Sequence, residues 1–514
     1  MRWDTAVLSR QYSLAALSGV ALALAFPAID WNWSAWVALI PLLWVLEEVR
    51  PRAAFALGWT CGLFFYLSTL YWIAYTIATF TPVPDPLAIV PLLLLAAVLA
   101  LYTGAFAAGV VFTARRGVEP ALFAPVWWVA LEWLRSWFPI GFPWVSLGYS
   151  QYRSHTLVQI AELTGVYGLS ALIVLFNVVV ASILGGRGTA RTRGAQLAAL
   201  TLVLVAVNQF GTWRLGDLAA REPTHHLRAA VVQGNIPQEQ KWDPEYQDTT
   251  ITTYERLSHD AAAAGQGLTL IVWPETAAPF FFADGGPLAE RIRALARGLH
   301  VWLLFGSPAA EPRAGGGHEL RNRAYVLSPD GLAAAQYDKT ILVPFGEYVP
   351  LPQLLFFVDK LVAGVGIFGP GPDPKPIVLD GHRVGVLICY EAIFPWLART
   401  QAADGADLLI NITNDAWFGP TSAPYQHLAM AALRAVENRV PVLRAANTGV
   451  SAVVRPDGSI EAATPLFEAT YRVVELSWPA TETVYTRYGD VFAVICVLCS
   501  SAVLIACART KYGC

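Results

Sequence analysis

Val386-Leu387-Ile388-Cys389-Tyr390-Glu391 is an apolar run that ends in a thiol and a carboxylate. Such a run reads as a buried strand that delivers Cys389 to its C-terminal end. Open α/β sheets place their chemistry at that end of the strands. Cys389 is also the one cysteine between residues 217 and 489. Cys61, Cys496, Cys499, Cys507 and Cys514 all lie in or beside apolar segments of membrane type. A lone cysteine is ordinarily a small buried hydrophobe. Two motifs upstream, Trp273-Pro274-Glu275 and Tyr337-Asp338-Lys339, weigh against that reading by completing a Glu/Lys/Cys set.

Working outward from Cys389, strands and helices alternate. Leu227–Asn235 is a β-branched run closed by Gly-Asn, and a polar helix is predicted over 244–264. Leu268–Glu275 is a second strand, a helix over 287–298 follows, and Val301–Gly306 is a third strand. Asn322–Leu327 and Leu332–Lys339 form a hairpin turned by Ser328-Pro-Asp-Gly331. His382–Cys389, Asp407–Asn414, a helix over 424–438, Pro441–Asn447 and Ser451–Val454 complete the sheet. This pattern predicts a layered α/β or α+β domain. Glu275, Lys339 and Cys389 each stand at a strand end, so they can converge at one edge. Their chemistry assigns roles. A thiol needs a base to take its proton, and Glu275 can serve. Acyl transfer needs a positive group at the developing oxyanion, which Lys339 supplies. Lys339 also favours the ionised forms of its two neighbours. No histidine stands beside Cys389 in the sequence, which argues against a papain-type pair.

The rest of the chain is different. Of 514 residues, 55% are hydrophobic and 14% charged, against about 25% charged in a soluble domain, and the mean hydropathy is +0.46. A crossing helix needs about 20 apolar residues. Spans are predicted near 11–28, 33–49, 53–79, 87–113, 119–138, 163–185, 195–215 and 490–508, seven before the α/β region and one after it. With the N-terminus inside, the inner segments hold Arg2, Arg10, Arg50, Arg52, Arg115, Arg116, Arg187, Arg191, Arg193, Arg509 and Lys511. The outer ends of the first seven spans hold Arg135 and Arg153. That asymmetry puts residues 217–489 outside. The first span is read as retained, although its flanks also suit a signal peptide. Trp31, Trp33, Trp36, Trp127, Trp128, Trp133, Trp137 and Trp144 cluster near span ends as an interfacial belt. Glu132 and Arg135, spaced i,i+3, are either a local pair or a functional pair at membrane depth.

A net charge of −3 leaves no footprint for nucleic acid. Cys496-x-x-Cys499 lies inside an apolar run and reads as small membrane-helix residues. Gly364-x-Gly366 and Gly315-Gly316-Gly317 lack the strand–helix context of a phosphate cradle. No metal motif is visible and no cofactor is expected.

The set Trp273-Pro-Glu-Thr, Asp338-Lys339 and Cys389-Tyr-Glu resembles the nitrilase-type carbon–nitrogen hydrolases. The longer motifs are narrower. Gln233-Gly-Asn-Ile-Pro-Gln, Lys339-Thr-Ile-Leu-Val-Pro-Phe-Gly-Glu-Tyr-Val-Pro350, Asn414-Asp-Ala-Trp-Phe-Gly419 and Arg434-Ala-Val-Glu-Asn438 resemble the apolipoprotein N-acyltransferase family. So do Glu132-Trp-Leu-Arg, Gly141-Phe-Pro-Trp and Gly148-Tyr-Ser-Gln151 in the membrane part. The resemblance implies a polytopic helical membrane domain of about eight spans and an extracytoplasmic αββα sandwich. The domains would be 1–216, 217–489 and 490–514, the catalytic one periplasmic, in the inner membrane of a bacterium. It implies a ping-pong reaction in which Cys389 takes an acyl chain from a glycerophospholipid, typically phosphatidylethanolamine. The thioester then acylates the N-terminal amine of a diacylglyceryl apolipoprotein. Glu275 would be the base, Lys339 the oxyanion stabiliser and Glu347 a second carboxylate. Tyr390 and Glu391 would shape the pocket, Trp242 would lie on a mobile substrate arm, and Trp417 and Phe345 would bind substrate. A monomer is expected.

Three apolar stretches independently suit a lipid substrate: Ala277–Phe282, Leu351–Val358 and Leu361–Phe368. Placed beside catalytic motifs, they read as an acyl-chain groove or membrane-dipping lid. Gly364, Gly366, Gly369 and Gly371 would permit hinge motion. A membrane-tethered amidase acting on small amides is the main alternative, since water accepts an acyl group as an amine does. A channel with an outer domain is disfavoured by spans almost free of ionisable residues.

Overall fold

Residues 382–388 do form a strand, and it lies within one of two six-stranded sheets. The computed structural model describes residues 5–139, 141–186, 188–312, 317–349 and 368–509. The apolar stretches Leu351–Val358 and Leu361–Phe368, apart from Phe368, fall outside the described residues, as do Gly364 and Gly366.

The first sheet contains β1 (His225–Gln233), β2 (Leu270–Val272), β3 (Trp302–Pro312), β4 (His318–Leu327) and β5 (Ala333–Asp338). The second contains β6 (Ile377–Leu379), β7 (His382–Ile388), β8 (Leu408–Thr413), β9 (Val442–Ala446), β10 (Ala452–Val454) and β11 (Ile460–Glu461). The last strand, β12 (Thr470–Trp478), returns to the first sheet. The orders are β12-β1-β2-β3-β4-β5 and β11-β10-β9-β8-β7-β6. β1, β2 and β3 are parallel, as are β7, β8 and β9.

Side chains alternate across each strand. Val231, Val272, Leu304 and Val326 of the first sheet therefore pack against Val386, Ile388, Ile410 and Leu443 of the second. The other face of the first sheet, with Val232, Ile271 and Phe305, is covered by Ile251, Tyr254 and Leu257 of helix Gln247–Ala264 and by Ile292 and Leu295 of helix Pro287–Leu299. Helices Pro395–Ala403 and Ala423–Asn438 pack on the second sheet. The result is a helix–sheet–sheet–helix sandwich, as expected. The expected hairpin is β4–β5, where Gly331 at φ +74° takes a backbone conformation that a side chain disfavours. β6, β11 and β12 are not among the strands expected from the sequence.

The chain divides into two units. One comprises residues 1–75, 84–216 and 488–514, and the other residues 76–83 and 217–487. Among the described residues, five helices are long and apolar enough to cross a membrane: Val7–Leu24, Asp85–Ala114, Val166–Leu184, Ala190–Ala220 and Val491–Arg509. A sixth forms if Pro51–Thr69 and Trp72–Phe80, bent by 50°, count as one span. The eight expected spans differ at two places. Residues 33–49 give only a short apolar stretch, Asn32–Val45, and residues 119–138 give the 16-residue helix Pro120–Arg135. A helix of that length covers about 24 Å, less than the ~30 Å hydrocarbon core. The first stretch is interrupted near Pro41, which has no amide hydrogen. The backbone amides of Leu39 and Leu42 are instead satisfied by Asn177 Oδ1 at 2.9 Å and Ser18 Oγ at 2.8 Å.

Glu132 and Arg135 are buried and both hold the loop after their helix. Arg135 donates to the carbonyls of Phe142 (3.0 Å) and Trp144 (2.7 Å) and to Ser146 Oγ (3.0 Å). Glu132 Oε1 accepts from the Leu147 amide at 2.7 Å. Trp31, Trp33 and Trp137 are exposed, as an interfacial belt requires, whereas Trp144 is buried in the protein.

Candidate active site

Cys389 follows the last residue of β7 with φ +53°, in the left-handed region that a non-glycine residue rarely adopts. A tight turn, Cys389–Ile393, starts there. Glu391 fixes that turn. Its Oε2 accepts from the Ile388 amide at 2.7 Å, and its Oε1 accepts from the amides of Thr340 (2.6 Å) and Ile341 (3.1 Å). One buried carboxylate thus ties the Cys389 turn to the chain just after Lys339. Burial pushes the Glu391 carboxyl up, although these amides oppose it. Tyr390 is buried edge-on against Phe394 at 5.1 Å.

Glu275 stands three residues past β2. The Trp273 amide bonds the Leu304 carbonyl and the Gly306 amide bonds the Pro274 carbonyl, so the Trp-Pro-Glu segment lies flat against β3. A Cβ on Gly306 would collide with the Thr276 amide and come within 2.8 Å of Glu275 Cα, which is why glycine fits there. Lys339 follows β5, and its amide donates to the Asn322 carbonyl at 2.9 Å.

The structure brings Glu275, Lys339, Cys389 and Glu347 together. Lys339 Nζ lies 3.3 Å from Glu275 Oε1 and 2.9 Å from Glu347 Oε1. The Cys389 thiol lies close enough to the Glu275 carboxylate and the Lys339 ammonium for both charges to act on its ionisation. Glu275 Oε2 accepts from the Asn414 amide at 2.9 Å, and Glu347 Oε2 from the Val343 amide at 2.8 Å. Burial raises the Glu275 carboxyl, but Lys339, Asn322 and Lys241 together hold it below the usual carboxylate range. Burial works against the Lys339 charge, and Glu275 and Glu347 more than offset it, so its ammonium persists above the usual range. The Cys389 thiol is pushed up to about 12 by burial and by Glu275, against the pull of Lys339. The resting state is therefore carboxylate, ammonium and neutral thiol. That arrangement can activate the thiol by proton transfer to Glu275 as the sulfur attacks.

Trp242, Phe345 and Trp417 lie outside this hydrogen-bonded cluster. Trp242 adjoins Lys241 and is partly exposed. Phe345 is 50% exposed at φ +62°. Trp417 packs edge-on against Phe80 at 5.1 Å, and its carbonyl accepts from Thr76 Oγ1 at 2.8 Å.

Several residues of the site were not singled out from sequence. Asn322 Nδ2 donates to both carboxylates, at 2.7 Å to Glu275 and 2.8 Å to Glu347. It stands in the predicted hairpin between Arg321 and Arg323, so nothing in the local sequence sets it apart. Lys241 Nζ donates to the Glu275 backbone carbonyl at 2.8 Å, and burial lowers it to about 8 despite Glu275 and Cys389 nearby. Behind Cys389 lies a fully buried chain. Arg444 Nη2 is 2.7 Å from Asp415 Oδ2, His427 Nδ1 is 3.1 Å from Asp415 Oδ1, and His427 Nε2 donates to the Cys389 carbonyl at 3.0 Å. It braces Cys389 in its unusual backbone conformation.

A sandwich of this kind, with a buried cysteine, carboxylate and amine at the C-terminal ends of its strands, defines a class, and residues 228–485 match the carbon–nitrogen hydrolase family. Residues 18–179 match the apolipoprotein N-acyltransferase N-terminal domain. An apolipoprotein N-acyltransferase from Geobacter metallireducens is 44% identical over 506 residues, 98% of this chain and 97% of the relative. One from Pseudomonas putida is 32% identical over 516 residues, 98% and 99% of the two chains. Among solved structures, a carbon–nitrogen hydrolase from Helicobacter pylori G27 aligns with 95% of its own length and 56% of this chain, at 19% identity and a TM-score of 0.38. The chain belongs to the apolipoprotein N-acyltransferase family, and it is a membrane protein.

Proposed function

We propose that this chain transfers a fatty acyl chain from a glycerophospholipid to the N-terminal α-amine of diacylglyceryl-cysteine apolipoproteins, through a thioester on Cys389. The observation that carries the chemistry is Lys339 held between Glu275 and Glu347, with Cys389 close enough for the Glu275 and Lys339 charges to act on its thiol. Glu275 takes the thiol proton while sulfur attacks the ester carbonyl. A C–S bond forms, and the Lys339 ammonium stabilises the oxyanion. Collapse breaks the ester C–O bond. The leaving lysophospholipid oxygen takes the proton back from Glu275, and a thioester remains. The apolipoprotein amine then attacks the thioester and gives its proton to Glu275, which returns it to the departing thiolate. One ester becomes one amide and the enzyme is restored. Tyr390 and Glu391 shape the pocket, and Trp242, Phe345 and Trp417 contact substrate.

In this reading residues 1–216 and 490–514 anchor a catalytic domain, 217–489, on the periplasmic side of a bacterial inner membrane. The basic residues support that orientation. Keeping Arg50, Arg52, Arg115 and Arg116 inside, with Arg135 and Arg153 outside, requires the short stretches Asn32–Val45 and Pro120–Arg135 to cross as well. The chain acts as a monomer.

Intact-protein mass spectrometry after incubation with phosphatidylethanolamine tests the reading. A hydroxylamine-labile gain of one acyl chain is expected in the wild type and not in Cys389→Ala. A diacylated lipopeptide should discharge it by forming an amide. A thioester that decays equally fast to free fatty acid without the lipopeptide would make the protein a hydrolase instead.

A further inference from the structure

The parallel strands carry the Glu/Lys/Cys cluster at their C-terminal ends. At their N-terminal ends lies a second group of polar side chains. His225 is the first residue of β1, His382 the first of β7, and Asp407 immediately precedes β8. His382 Nδ1 is 3.1 Å from Asp407 Oδ1, and His225 Nδ1 is 3.8 Å from Asp407 Oδ2. One ligand atom from each of the three lies within 4.8 Å of the other two.

The ring orientation of His382 is informative. Its Nε2 is 3.2 Å from the backbone carbonyl of His226. A carbonyl only accepts, so Nε2 carries the hydrogen. In a neutral ring the Nδ1 lone pair then faces a carboxylate oxygen, an arrangement that needs a cation. A proton on Nδ1 serves that one contact. A metal ion serves it and the His225 contact together. A ring hydrogen-bonded through its far nitrogen to a backbone carbonyl is also the usual posture of a metal-bound histidine. Trp478 holds both rings, stacked at 5.4 Å on His225 and 5.5 Å on His382. Asp407 is oriented by the Arg383 amide at 3.2 Å from Oδ2.

We propose that His225, His382 and Asp407 form a binding site for a divalent transition-metal ion, with zinc the best match. Two imidazoles and a carboxylate suit zinc, and ligand bonds of about 2.0 Å in a tetrahedron place ligand atoms about 3.3 Å apart. The two histidines approach different oxygens of Asp407, at 3.1 and 3.8 Å, and one ligand atom from each of the three residues lies within 4.8 Å of the others, so small side-chain shifts close them on one ion. The side chains of His225 and Asp407 are 25% and 17% exposed, which leaves water access to a fourth position. His225 belongs to the first sheet, and His382 and Asp407 to the second, so the ion would clamp the two sheets together at the end away from Cys389. The ligands are scattered along the chain, so no local motif announces them.

The test uses the full chain in detergent, without a polyhistidine tag, stripped with a chelator, equilibrated with zinc chloride and desalted. Elemental analysis should find one more zinc per chain in the wild type than in His382→Ala or Asp407→Asn. Zinc affinity should fall more than about 10-fold in either variant. Zinc should raise the wild-type melting midpoint and leave that of Asp407→Asn unchanged. Cobalt(II) should give tetrahedral visible bands that both variants lose. Circular dichroism and gel filtration establish that the variants are folded. Equal zinc in the wild type and in folded Asp407→Asn, or no zinc retained by the wild type, would overturn the site and leave an imidazolium–carboxylate pair.

Discussion

Lys241 is a buried ammonium whose bond to the Glu275 backbone carbonyl places a second positive charge behind the proposed base. Burial lowers it to about 8, while Glu275 and Lys339 hold their charges far from neutrality on either side. The sign follows directly. Below about pH 8 the Lys241 charge is present and favours both the Glu275 carboxylate and the developing thiolate; above it, that help is lost. Thioester formation should be flat through mildly acidic pH, since Glu275 stays ionised there, and should decline as pH rises through about 8. Lys241→Met should remove the alkaline decline and lower the plateau. A hydrogen bond to a charged group contributes about 1.5–3 kcal/mol, so the expected loss is about 10- to 100-fold. Single-turnover acylation rates across pH 5–10 would check it, at about half-unit steps. An alkaline decline that persists in Lys241→Met would remove Lys241 from this role.

At the level of elements, the two short apolar stretches decide the topology. If Asn32–Val45 and Pro120–Arg135 cross, residue 29 lies outside and residue 48 inside. Both Ile29 and Glu48 are exposed on the protein. In intact spheroplasts of a Cys-depleted chain, Ile29→Cys should react with a membrane-impermeant maleimide, and Glu48→Cys should react only after permeabilisation. Equal labelling of both would place Asn32–Val45 on one side of the membrane. Other elements were legible for plain reasons. β7 and β8 are buried on both faces over most of their length, so Val384–Ile388 and Leu408–Ile410 read as apolar runs. β12 is half-buried with no clean alternation, and β6 and β11 are three and two residues long, so none rose above its surroundings. Glu275, Lys339 and Cys389 were legible because each ends a strand in a distinctive motif. Asn322, Lys241 and His427 were not, because their roles rest on which distant backbone or carboxylate each one meets after folding.

At the scale of the whole molecule, the sandwich encloses charges that must stay paired to be tolerated. Asp415 is the clearest case. Burial raises its carboxyl, yet Arg444 and His427 bring it down to about 2 from an ordinary 3.8. A carboxyl depressed by folding stabilises the native state above its unfolded value, and that contribution is lost as pH falls through its folded value. The Asp415 contribution is therefore intact above pH 3.8 and disappears towards about 2. Glu275 acts in the same direction, and Glu391, raised by burial, acts in the opposite one. Asp415→Asn should lower the apparent melting midpoint at neutral pH, because Arg444 keeps a buried charge without its carboxylate, at a cost of about 3–5 kcal/mol. Between pH 3.8 and about 2 the wild type should lose stability more steeply than the variant, so that the two midpoints converge. Melting followed by circular dichroism across that interval checks this. Parallel curves would mean that the Asp415–Arg444 pair contributes nothing to holding the second sheet and Cys389 in place.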